Sequence, residues 1–105
     1  MSSFDASLSG LNAAATQVGV AAVNLANLNT NGYKAKSVTF EQTAEGGVRP
    51  SGVQESQAEP APNGSNVDPA TEMENLQTGS VFYRANVTAL KAQAELLGLV
   101  MDLKA

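Results

Sequence analysis

The side chains that could move protons or hold a metal are few. The 105 residues include no histidine and no cysteine, which removes imidazole bases, thiolate nucleophiles, disulfides and the usual zinc ligands together. What remains is carboxylate chemistry. Glu72 and Glu74 stand two apart in a stretch that reads as helix, so they do not face each other and cannot form a paired acid and base. At a helix start they compensate the dipole instead. Glu41, Glu45, Glu55 and Glu59 fall in a polar middle segment without a convergent apolar pocket, and they read as solvated. With no glycine-rich phosphate loop either, the chain is not expected to be an enzyme, and no cofactor, metal or small-molecule substrate is expected. Its net charge of -4 leaves no basic footprint for a phosphate backbone, so nucleic acid is not an expected partner.

Hydrogen-bonding chemistry is concentrated elsewhere. The stretch "NLANLNTNGYKA", residues 24–35, holds four asparagines and no acidic residue. Asn24, Asn27, Asn29 and Asn31 are poor choices for a helix interior, because their amides compete for backbone hydrogen bonds. Gly32 can take the left-handed conformation that stops a helix. The amides of Asn27 and Asn29 can bond exposed carbonyls or a neighbouring subunit without the cost of burying charge; a purely local capping role weighs more for Asn24 and Asn31. Tyr33 is a core-edge aromatic or an intersubunit anchor, and Lys34 and Lys36 read as solvated.

The elements that must position these groups follow from periodicity. Phe4, Leu8, Leu11, Ala15, Val18, Ala22 and Leu25 recur in steps of four and three, a heptad stripe that predicts a helix over about 3–29. Met73, Leu76, Ser80, Tyr83, Val87, Leu90, Ala94, Leu97 and Met101 repeat the pattern and predict a second helix over about 68–103, with Asp68 as N-cap and Pro69 in its first position. Between them, at about 33–66, "KSVTFEQ" and "GGVRPSGVQ" predict a short extended or β-hairpin segment, followed by a polar, proline-spaced linker. The expected fold is mainly α. Its two long helices form an antiparallel, coiled-coil-like hairpin within a single domain, 1–105, whose first stripe in each helix faces the other helix.

Charge is sparse: Asp5 is the only ionised side chain from Met1 to Gly32, and Arg84 and Lys91 are the only two from Asn75 to Ala94. The second helix also carries another apolar stripe, through Phe82, Ala85, Ala89, Ala92, Leu96, Leu99 and Leu103, set about 200° from the first. A helix apolar on two faces needs two neighbours, and a chain of this length has no third helix to offer. Phe82, Leu96, Leu99 and Leu103 are therefore read as an intersubunit face, and an oligomer is expected. The opening residues "MSSFDASLSG" lack a basic and then apolar leader pattern, and no apolar run is long enough to span a bilayer, so general secretory export is not indicated.

Ala26-Asn27, Asn29-Thr30 and Gly32-Tyr33-Lys34 closely resemble the "ANxNTxGYK" signature that ends the N-terminal helix of flagellar axial proteins, in particular the basal-body rod family. The segment "SNVDPATEMENLQTGSVFYRANVTALKAQAELLGLVMDL" is similar to that family's C-terminal helix, and "GGVRPSGVQES" to the extended segment of proximal-rod members. Asn31 stands where the motif often has proline, Gly79 occupies a helical position, and the large inserted domain of distal-rod and hook proteins is absent. The resemblance implies a structural subunit of the bacterial flagellar basal-body rod, self-assembling through coiled-coil packing with copies of itself and other rod proteins. Asn27, Asn29, Thr30, Gly32, Tyr33 and Lys34 would be its assembly motif. It further implies export through the flagellar type III apparatus without a cleaved signal peptide, and a place in the periplasmic rod. The rival reading is a small helical chaperone or adaptor for axial proteins.

Overall fold

The computed structural model describes residues 3–44 and 46–104, with side-chain surroundings for 4–44 and 46–98. Helix α1 spans Ser3–Ala26 and helix α2 spans Pro69–Lys104, with strands β1 (Lys36–Gln42) and β2 (Val48–Glu55) between them. Asp68 caps α2: its carboxylate accepts the Ala70 N–H at 3.1 Å and the Thr71 hydroxyl at 3.0 Å. Pro69 follows in the first helical position, where its missing N–H costs nothing. Successive turns at residues 27–32 carry the chain out of α1, and Gly32, at φ +76°, takes the left-handed backbone that few other residues tolerate.

The two helices pack side by side and antiparallel, as the periodicity predicts, but the residues that join them, Val18 excepted, lie off the expected stripes. Ser7 meets Gln93, Gly10 lies under Asn86, Val18 under Gly79, and the Gln17 amide donates to the Asn75 carbonyl at 3.2 Å. Ala14, Ala21, Glu72 and Gly79 are buried along the same line. These residues also recur in threes and fours, so the seam is a heptad line of small and polar side chains. The expected apolar stripes flank it. Leu76, Val87 and Leu90 are half-buried, whereas Met73 and Leu97 are 58% and 61% exposed. Bulk is the reason: a Cβ added at Gly79 would lie 2.7 Å from a Val18 methyl and 3.5 Å from the Ala14 carbonyl. Helix axes this close leave no room for leucine between them.

Strands β1 and β2 pair antiparallel, with Lys36 opposite Glu55 and Gln42 opposite Val48. Ser51 is extra between the pairs Thr39–Gly52 and Phe40–Pro50, so a bulge and a proline interrupt β2, devices that discourage strand addition at an exposed edge. The hairpin rests on α1, where the Val48 N–H donates to Ser9 Oγ at 3.2 Å. It covers one flank of the helix pair. On the other flank, Ala15 and Val18 of α1 and Ser80 and Tyr83 of α2 line an open groove. The buried apolar residues among those described are Ala13, Ala14, Ala21 and Val67 alone, a very small core for a chain of this length.

Candidate functional site

Asn24 lies at the end of α1 and is 0% exposed. Its Oδ1 accepts the Lys36 N–H and the Tyr33 hydroxyl, both at 2.9 Å, and its Nδ2 donates to the Lys36 carbonyl at 2.7 Å. The side-chain amide thus pairs with the free edge of β1 as a neighbouring strand would, satisfying two backbone groups that the hairpin leaves unpaired. Neither an acid nor a shorter polar residue offers one donor and two acceptor sites in that plane. The structure therefore gives Asn24 an intramolecular bracing role larger than the local cap read from its position.

The second motif enters the same junction from the far side of the chain. Asn66 Oδ1 accepts the Ala35 N–H at 2.6 Å, Asn66 Nδ2 donates to the Ala58 carbonyl at 2.8 Å, and the Asn66 N–H donates to the Tyr33 carbonyl at 3.1 Å. The Gly32 N–H reaches the Gly64 carbonyl at 2.9 Å. Ser65, buried, donates its hydroxyl to the Leu28 carbonyl at 2.7 Å and accepts the Val67 N–H, satisfying a carbonyl of the turn that follows α1. The segment read as a linker without a core of its own thus ends in two buried residues, Ser65 and Val67. Ser65, Asn66 and Val67 escaped the sequence reading as individuals; the only signal was that a Ser-Asn-Val-Asp run precedes a helix it does not need beyond Asp68.

The residues expected to form an assembly motif divide. Asn27 bonds locally, its Nδ2 donating to the Val23 carbonyl and its Oδ1 accepting the Thr30 hydroxyl. Asn29, Thr30 and Gly32 are exposed, and Tyr33 and Lys34 are half-buried. Tyr33 is a core-edge residue, with its hydroxyl inside the junction. Desolvation, followed by the negative charges of Glu72 and Glu55, raises its pKa above the ordinary 10.0. Of the expected intersubunit face, Phe82 and Leu96 are 55% and 63% exposed; Leu99 and Leu103 lie outside the described side chains. Phe82 shares a recess with Phe40 and Val48 of the hairpin, so its stripe runs beneath the covered flank, while the Met73–Leu97 stripe borders the open one.

Glu72 stands in the first turn of α2, as the dipole reading expects. It is 5% exposed and lines a recess with Gln17, Asn75, Lys36 and Ser37. The one ion pair among the described residues joins Arg49 to Glu41 across the hairpin, in the open. No group of three or more acidic residues among those described is placed to hold a metal, and no described helix is long and apolar enough to cross a membrane.

Comparison with known proteins adds one match. The family model described as flagella basal body rod protein matches residues 4–34, which is α1 from its first turns through the junction turn to Lys34. This is the family that the two motifs resemble. No curated protein matches the chain.

Proposed function

We propose that the chain, whose residues 4–34 match the family model described as flagella basal body rod protein, is a self-assembling structural subunit of the flagellar rod. In this reading it performs no chemistry and associates with copies of itself and with other rod proteins. It leaves the cytoplasm through the flagellar type III apparatus and works in the periplasmic part of the basal body.

One observation carries the assembly reading. The seam inside the molecule is built from alanine, glycine and amides, while Phe4, Leu8, Met73, Tyr83, Leu96 and Leu97 remain exposed. Large apolar side chains left outside a helix pair, with few charges among them, are what a subunit needs when its neighbours complete its core. Phe82 and Leu96 border one side and the Met73–Leu97 stripe the other, so each molecule can meet two neighbours. Asn29 and Thr30, exposed beside the junction, add neutral hydrogen-bonding groups to that surface.

The test is to image purified basal bodies carrying a tagged copy of the chain. Label within the rod is the expected result. A tagged chain that stays cytoplasmic and co-purifies with unassembled axial proteins identifies a chaperone or adaptor instead.

A further inference from the structure

The junction sets the two Asn-Gly steps of the sequence, Asn31-Gly32 and Asn63-Gly64, against each other: the Gly32 N–H donates to the Gly64 carbonyl at 2.9 Å. An Asn-Gly step is self-reactive. Glycine has no Cβ to keep its nitrogen away from the preceding asparagine Cγ, so the two residues can close a succinimide ring between them. Asn31 and Asn63 are both exposed, and their amides take no part in the hydrogen bonds that hold Asn24, Asn27 and Asn66.

The two steps differ in how their glycine N–H groups are held. Ring closure needs that nitrogen deprotonated, and an N–H bound to a carbonyl keeps its proton. The Gly64 N–H is bound only within its own turn, to the Ala61 carbonyl at 3.0 Å. With Pro62 in its second position and Asn63 at φ +61° in its third, this is a type II turn. It is exposed at Ala61, Pro62 and Asn63, so it opens without disturbing anything else. The Gly32 N–H is bound across the junction instead. Its acceptor lies next to Ser65 and Asn66, whose side chains reach Leu28 and Ala35, and it is released only when that set of contacts opens.

We infer that the two steps form an ordered pair of self-modification sites: Asn63 deamidates in the folded chain, and Asn31 follows once Asn63 has changed. The Gly64 nitrogen passes its proton to solvent and bonds to Asn63 Cγ; the bond from Cγ to the side-chain nitrogen breaks, and ammonia leaves. Water then opens the succinimide at either carbonyl to aspartate or isoaspartate, so amide and water become carboxylate and ammonia. Isoaspartate adds a methylene to the main chain just before Gly64. That shifts the Gly64 carbonyl off the Gly32 N–H and frees Asn31 to react in turn. The chemistry belongs to the isolated chain and holds whether or not the rod reading does.

Incubation of the full chain in mildly alkaline buffer, with peptide mapping by mass spectrometry at intervals, tests this. In the folded wild type Asn63 is expected to convert first and Asn31 after a lag, at an initial rate about tenfold or more lower; in urea the two rates converge. Asn63→Gly keeps the left-handed turn but has no side chain to cyclise, and is expected to prolong the Asn31 lag. Asn66→Ala removes the bonds to Ala35 and Ala58 without altering either step, and is expected to abolish the lag while Asn63 converts at its wild-type rate. Circular dichroism checks that each variant keeps its helix; should Asn66→Ala lose it, the wild-type order and the Asn63→Gly course decide alone. Simultaneous conversion in the folded wild type, Asn31 converting first, no conversion at either site while the urea sample reacts, or an Asn31 course unchanged by Asn63→Gly each overturn the inference.

Discussion

A single amide, Asn24, holds the end of α1 to the start of β1, and the Tyr33 hydroxyl completes its acceptor capacity. Because that hydroxyl is desolvated and faces the charges of Glu72 and Glu55, its pKa lies above 10.0 in the folded chain, while an unfolded chain titrates near the ordinary value. The folded state therefore holds its proton longer. Stability from this group is complete below about pH 10 and falls as pH rises from there through the folded pKa, because the unfolded chain releases its proton first. Thermal melts from about pH 8 to about pH 11.5 should show a steeper alkaline decline for wild type than for Tyr33→Phe. At neutral pH the same variant is expected to cost about 1 kcal/mol, one hydrogen bond to a buried amide. Equal alkaline slopes would separate the hydroxyl from the junction.

Between the helices, close approach outranks helix propensity. Gly79 to alanine gains up to about 1 kcal/mol of intrinsic helix preference, yet the new Cβ meets a Val18 methyl at 2.7 Å. Overpacking of that kind costs about 1–3 kcal/mol, so Gly79→Ala is expected to destabilise. Gly19, also in α1, has nothing within 4 Å of an added Cβ, and Gly19→Ala is expected to stabilise by about 0.5–1 kcal/mol. Urea melts of the two variants thus move in opposite directions if the seam runs where it is described. The polar members of the seam carry a cost too, since Gln93 Oε1 is buried with no hydrogen-bond partner.

As a whole the molecule is a rod, 67 × 24 × 14 Å, with a radius of gyration of 18.0 Å, where a compact chain of this length has roughly 13 Å. Its accessible surface is 6952 Å², against roughly 5,500 Å² for a compact monomer of the same mass. With four buried apolar residues among those described, the monomer has little to offset the entropy of ordering two long helices. Helical circular dichroism is expected to rise with concentration, together with sedimentation coefficient, as neighbours cover the open flank. A monomer fully helical and cooperatively melting at micromolar concentration would contradict this account of where the stabilising surface lies.

Two helices with an extended pair between them, and the cap at Asp68, were legible from periodicity and residue type, because those signals are local: spacing of about 3.6 residues and the hydrogen-bonding reach of one side chain. The family resemblance was legible for the same reason, as two contiguous motifs. Which stripe faces which was not. Apolar side chains at heptad spacing mark the surface that wants covering, and in a chain that assembles that surface need not lie inside the molecule. Only the packed structure set Gly10, Ala14 and Gly79 in the seam and turned Tyr83 and Leu97 outward. Asn24 and Asn66 likewise have their meaning only when residues 12 and 31 positions away arrive at their amides. The burial of Glu72 belongs to the same class: a helix-start carboxylate is locally favourable, and only α1 and β1 arriving beside it leave the residue 5% exposed.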